Sequence, residues 1–136
     1  MEADLAQAVR DRAGGACEYC RMPQAAFPAT RFHVDHITAK QYGGRTELAN
    51  LALSCFNCNA FKGPNIAGND PKTGRLARIF NPRRQRWSRH FRWNGARLVG
   101  RTLVGRVTAY VLNMNDEEVV LIRAAMIEEG LLVPET

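Results

Sequence analysis

The chain has 136 residues, 46% of them apolar and 24% charged, enough for one compact domain or for a small module with an extension. Lysine and arginine outnumber aspartate and glutamate by 19 to 13, a formal charge of +6 that points to polyanionic partners. No run of eighteen apolar residues exists, and the amphipathic, charged start of the chain does not read as a signal peptide, so the expectation is a soluble cytoplasmic protein with no membrane span.

In chain order, Leu5, Val9 and the alanines between them recur at helical spacing, and Gly14 and Gly15 supply a stop. This first helix delivers Cys17 and Cys20. Phe32 to Ile37, rich in branched and aromatic residues, predicts a strand; Tyr42 to Glu47, with its glycine pair, predicts a loop; Leu51 to Leu53 predicts the pairing strand. Ser54 is placed to cap a short helix through Cys55, Cys58 and Asn59 that stops at Gly63 and Pro64.

Beyond Pro64 the signals are weaker. Asn69 to Pro71, Thr73/Gly74 and Asn81/Pro82 mark turns, which leaves Arg75 to Phe80 as a connector or short element. Trp87, Arg89, Phe91 and Trp93 alternate with their neighbours, and Asn94/Gly95 offers a type I′ turn before Leu98 and Val99, so a β-hairpin is predicted. Its tryptophans are expected to pack on the core or the cysteine knuckle, and His90 to be exposed. Thr102 can cap a helix carrying Leu103, Val107, Tyr110, Val111 and Met114, and Asn115 with Glu118 forms a capping-box-like start for a last helix through Val119, Ile122 and Met126.

All four cysteines sit in two CxxC pairs, Cys17/Cys20 and Cys55/Cys58. In a reducing compartment this is the spacing of a four-thiolate structural Zn²⁺ site; a redox CxxC or a disulfide pair is the alternative. Usual ribbons separate their halves by roughly 15 to 20 residues. The longer stretch from Cys20 to Cys55 must therefore hold a folded insert.

Charge is unevenly spread. From Pro71 to Asn115 there is no acidic residue, while Lys72, Arg75, Arg78, Arg83, Arg84, Arg86, Arg89, Arg92, Arg97, Arg101 and Arg106 are basic. Such a segment repels itself unless a polyanion is near, and the planar guanidinium fork suits phosphate oxygens. Nucleic acid is the expected partner, with Arg83, Arg84, Arg86, Arg89 and Arg92 as backbone contacts.

The string HVDHI, from His33 to Ile37, followed by GGRTELANLALSCFNCNAFKG, from Gly43 to Gly63, resembles the HNH nuclease family with its ββα-metal fold, over about Arg10 to Gly63. The resemblance implies that Asp35 is a ligand of the catalytic metal, that His36 is the general base, that Asn50 positions the loop and the histidine backbone, and that Asn59 is the second metal ligand. Many relatives have histidine where this chain has Asn59; the Asp/Asn pair favours a hard ion, Mg²⁺ or Mn²⁺. The fold class expected is α+β: an HNH core stapled by zinc at residues 1–65, and a basic extension of hairpin and helices at residues 66–136.

The residue types suit phosphodiester hydrolysis without the family name, because that reaction needs a base for the attacking water and a cation where charge builds on phosphate. Strict alternation along the strand puts Asp35 and His36 on opposite faces, so the strand is expected to end or bend there if both are to reach one phosphate. His33 shares the face of Asp35, as a partner of the site, a phosphate contact, a third ligand, or simply a solvent-facing residue. Lys62 is read as a phosphate contact or as charge compensation at a helix end. The expected function is metal-dependent cleavage of DNA, by nicking or by double-strand cutting of a duplex; a non-catalytic zinc-stapled DNA-binding module is the alternative.

Overall fold

The computed structural model describes residues 1–134. Helix α1, Ala3–Ala13, stops where Gly14 adopts a left-handed conformation (φ 65°) that a side chain would resist. The chain then forms a knuckle closed by a bridge between Ala16 and Pro23. Strand β1, His33–His36, pairs antiparallel with β2, Leu51–Ser54, in the register His33 to Ser54 and His36 to Leu51. Helix α2, Phe56–Lys62, follows at once. Strand, loop, strand, helix is the order that the sequence predicts.

One local detail differs from expectation. Ser54 ends β2 as a fully buried residue, and Cys55 is the N-cap of α2, its sulfur accepting the Cys58 N–H. A thiol that must face its partner pair is placed to cap as well, which displaces the serine from that role. Of the end or bend expected at Asp35 and His36, the structure has the end: β1 keeps its register through His36 and stops there.

The extension contributes more strand than the sequence predicts. Ala67–Asn69 (β3) and Leu76–Arg78 (β4) form a hairpin around a turn built on Asp70, which accepts from the Lys72 N–H and the Thr73 hydroxyl and pairs with Arg106 at 2.9 Å. With only three residues each, these strands carry too little periodicity to be read. The second hairpin, Phe91–Asn94 (β5) with Arg97–Gly100 (β6), forms as predicted, but its loop is Gly95 and Ala96 with φ 61° at Gly95 alone, not a type I′ turn on Asn94/Gly95, because Asn94 is the last paired residue of β5.

Its expected first half is instead a single helical turn, α3, Trp87–His90. The reason is steric: helix α4, Leu103–Val111, lies so close that a Cβ on Gly105 would sit 2.0 Å from the His90 carbonyl oxygen. The paired strand therefore cannot extend back before Phe91. His90 is consequently buried, against expectation, and its Nδ1 lies 2.6 Å from the Thr102 hydroxyl.

Thr102 caps α4 as predicted, accepting from the Gly105 N–H. The last helix, α5, Glu117–Glu128, is capped by Asp116 rather than Asn115. Asn115 is used elsewhere: its amide bonds both the N–H and the carbonyl of Leu98, clamping the edge of β6.

One buried core joins the two parts of the chain, from Val9 and Leu53 through Phe80, Phe91 and Leu98 to Leu112 and Met114. Phe32 and Phe56 meet edge-on at 5.5 Å, and Phe27 and Phe56 at 5.3 Å, contacts worth about 0.5–1.5 kcal/mol each beyond area burial. The Asn57 amide donates to the carbonyls of Leu112 and Asn113, tying α2 to the end of α4. Among the described residues no helix is long and apolar enough to cross a membrane.

Candidate functional site

The four cysteines, far apart in sequence, meet in space. All are buried, and their sulfur atoms lie within 4.8 Å of one another, so they are arranged to bind a metal ion. A tetrahedron with metal–sulfur distances of ~2.3 Å has edges of ~3.8 Å; the sulfurs of Cys20 and Cys55 are 3.6 Å apart. Each half uses the same local turn, in which the first cysteine sulfur accepts the N–H of the second, Cys20 to Cys17 and Cys58 to Cys55. Hydrogen bonds within the cluster, first that with Cys17, lower the Cys20 thiol and raise those of Cys55 and Cys58. A cation at the centre relieves this conflict by letting every thiolate form.

The two residues inside the first pair, Glu18 and Tyr19, brace the ββα unit, a role that residue type and spacing do not reveal. Glu18 covers the open edge of β2: its N–H donates to the Leu53 carbonyl, and its carboxylate accepts the Leu53 N–H at 2.8 Å. Arg83 pairs with the other Glu18 oxygen and donates to the Leu51 carbonyl. Arg83 therefore holds the fold together and is not presented to a ligand, contrary to its assignment as a backbone contact. Tyr19 is fully buried, with its hydroxyl 3.4 Å from Asp35 Oδ2 and its carbonyl accepting the Trp87 indole N–H. Trp87 thus packs on the knuckle as expected, with the Arg21 guanidinium 4.8 Å above its ring.

Asp35 points toward α2. Its Oδ2 is 3.1 Å from the ammonium of Lys62, whose side chain is 2% exposed and also donates to the His36 carbonyl at 3.0 Å. Lys62 is thus neither a surface charge at a helix end nor free to meet a phosphate; it is the buried counter-charge of Asp35. Burial raises the Asp35 pKa, and Lys62 pulls it back. The same burial, with Asp35 beside it, pushes the Tyr19 phenol well up, so that it stays a donor.

Asn59 lies one helical turn before Lys62 and so on the same side of α2. Among the described residues neither Asp35 Oδ1 nor the Asn59 side chain has a protein hydrogen bond. Two oxygen donors without protein partners suit a hard divalent cation, so the donor set fits one.

His36 leaves β1 on the other face. Its Nε2 is 2.8 Å from the Thr46 hydroxyl, which orients the ring from the loop. Burial first, then Lys40, lowers its pKa, while Asp35 acts in the opposite sense, so the ring is neutral at neutral pH. The loop is pinned by Asn50, whose side chain accepts from the Thr38 N–H and donates to the carbonyls of Thr38 and Arg45. Its own carbonyl accepts the Ile37 N–H. Gly44 is required at the closure, because a Cβ there would lie 1.7 Å from the Thr38 oxygen.

His33 is exposed, with its ring edge-on to Phe56 at 5.6 Å. Arg84, Arg86, Arg89 and Arg92 are all exposed. Thr46, Glu18 and Tyr19 give no signal of their own in the sequence beyond lying inside a loop and a CxxC pair.

Comparison with known proteins agrees with the architecture in one respect. No curated protein and no solved structure matches the chain. Residues 17–64, from the first cysteine to just past α2, match the family model described as HNH endonuclease, within a mixed α/β fold around the four-cysteine cluster.

Proposed function

We propose that the protein is a metal-dependent endonuclease that hydrolyses DNA phosphodiester bonds, with Zn²⁺ as the structural ion on Cys17, Cys20, Cys55 and Cys58. The observation that carries the reading is the arrangement around β1: a neutral, loop-oriented His36 at the strand end beside a carboxylate, Asp35, that faces the helix bearing Asn59. A divalent cation such as Mg²⁺ or Mn²⁺ on Asp35 and Asn59 would supply positive charge to the phosphate and its leaving oxygen.

His36 takes the proton of the attacking water. Thr46 holds its ring, and Asn50 holds the loop that carries Thr46. A lowered pKa keeps His36 in its accepting form. Burial raises the Asp35 pKa and Lys62 opposes it, favouring the ionised carboxylate that a metal ligand must be. Exposed Arg84, Arg86, Arg89 and Arg92 hold double-stranded DNA by its phosphates. Four thiolates around zinc suit a reducing compartment, the cytoplasm.

The test is supercoiled-plasmid cleavage by zinc-loaded protein with and without Mg²⁺ or Mn²⁺, beside His36→Ala. Cleavage by the unmutated protein only with metal, and a drop of about 10²–10⁴ in rate with His36→Ala, is expected. Retardation of plasmid by both proteins without cutting would replace this reading with that of a zinc-stapled DNA-binding module.

A further inference from the structure

Two clefts meet on the basic face. One, of about 580 Å³, has the site loop as one wall, with Thr38, Gly44 and Asn50, and the extension as the other, with Arg78, Arg84 and Gln85. The second, of about 800 Å³, runs on along α3 past Arg86, Ser88 and Arg89. Arg84 and Gln85 line both and form the saddle between them.

Five arginines border this path: Arg45 and Arg78 at the loop end, Arg84 on the saddle, Arg86 and Arg89 beyond. All five are exposed, and among the described residues none is paired with a carboxylate. Glu47 is the one acidic residue of either lining. Neighbouring cations behave otherwise: Arg83 is tied to Glu18, and Arg106 to Asp70. Folding has therefore used the available carboxylates on structural arginines and left those along the clefts without a counter-charge. Gln85 is itself anchored, its side-chain oxygen accepting the Asn81 N–H, which fixes the saddle.

We infer that the two clefts form one continuous track for the phosphodiester backbone of a single DNA strand, entering between the Asn50-pinned loop and Arg78 and leaving along α3. Arg45 and Arg78 then contact phosphates nearest His36, and Arg84, Arg86 and Arg89 contact those farther along the same strand. The loop that borders the entry is the one whose Thr46 orients His36. Only the place of the reacting bond rests on the nuclease reading; the track itself rests on the clefts and their unpaired charge.

The experiment measures fluorescence anisotropy of labelled duplex and single-stranded oligonucleotides against KCl concentration, with the full zinc-loaded chain and no added Mg²⁺ or Mn²⁺. The triple variant Arg45→Gln/Arg78→Gln/Arg84→Gln is compared with Arg31→Gln/Arg97→Gln, which removes two exposed arginines outside both clefts. Removing one arginine from a phosphate should reduce the salt slope of log K by about 0.9 on duplex or about 0.7 on single strand. The track triple should thus lower the slope by about 2.7 on duplex, while the control pair keeps the wild-type slope. Equal reductions per arginine in both variants, or no reduction in either, would overturn the track. Circular dichroism melting of each variant checks that the fold is intact, and Arg86→Gln/Arg89→Gln provides a second variant should the triple fail to fold. If plasmid cleavage is absent but the slope changes as expected, the nuclease reading falls and the track stands; if cleavage occurs with an unchanged slope, the reverse holds.

Discussion

At the scale of single residues, Lys62 and Asp35 are the most consequential pair. Burying an ammonium to 2% exposure requires a partner, and Asp35 Oδ2 at 3.1 Å with the His36 carbonyl at 3.0 Å supplies it. Lys62→Met leaves a largely buried carboxylate without its counter-charge and should lower stability by about 3 kcal/mol, measured by urea unfolding without divalent cation. Adding Asp35→Asn should recover part of that deficit, because no charge is then left unpaired. His90 offers a pH test. The Thr102 hydroxyl accepts the Gly105 N–H and lies 2.6 Å from His90 Nδ1, so its own proton goes to a neutral ring. Burial, then Arg89, lowers the His90 pKa. A histidine kept neutral by the fold contributes stability that is fully present above the unfolded pKa of about 6.5 and declines as pH falls through that value toward the folded one. His36 is shifted in the same direction, so the comparison needed is wild type against His90→Gln at about pH 7.5 and about pH 5.5. The wild type should lose more stability between the two.

At the scale of elements, Asn50 acts as a clasp across the loop between β1 and β2. Its side chain closes three hydrogen bonds to Thr38 and Arg45, and Gly44 lets the backbone pass close to Thr38. Asn50→Asp keeps the acceptor for the Thr38 N–H but removes both donors, so the loop loosens around Thr46. Displacing a base by an ångström can cost about 10²-fold in rate. Cleavage by Asn50→Asp should fall by about that factor, with DNA affinity in the anisotropy assay nearly unchanged. The elements of the core were legible because their signals agree: helical spacing before Gly14, a branched strand ending in Asp35 and His36, and a glycine pair in the loop. The turn at Trp87–His90 was not, because alternation there is overruled by the approach of α4 to the His90 carbonyl.

At the scale of the molecule, the four-cysteine cluster joins segments that have little else to fix them. The first knuckle carries Glu18 on the edge of β2 and Tyr19 against Asp35, and the second opens the helix with Asn59 and Lys62. Metal binding in small modules is worth on the order of 10–16 kcal/mol apparent, against roughly 5–15 kcal/mol for the stability of a whole domain. Removal of the ion by a chelator should therefore unfold the residues around it rather than merely silence the site. Far-ultraviolet circular dichroism, recorded after metal removal has been confirmed by elemental analysis, checks this; an unchanged spectrum would mean that the apolar core alone holds the ββα unit.

The sequence by itself determined the two cysteine pairs, the strand–loop–strand–helix order and the basic character of the extension, because each depends on residue type and short spacing. The roles of Lys62, Arg83, Tyr19 and His90 were decided only by tertiary structure. Each depends on what a distant segment brings within hydrogen-bond reach: Asp35 for Lys62 and Tyr19, Glu18 for Arg83, Thr102 for His90. A lysine or arginine reads alike in sequence whether it faces water or a buried carboxylate. Only the packing that removes water from Lys62 and Arg83, and leaves it around Arg84, separates cations that support the fold from those free to meet a phosphate.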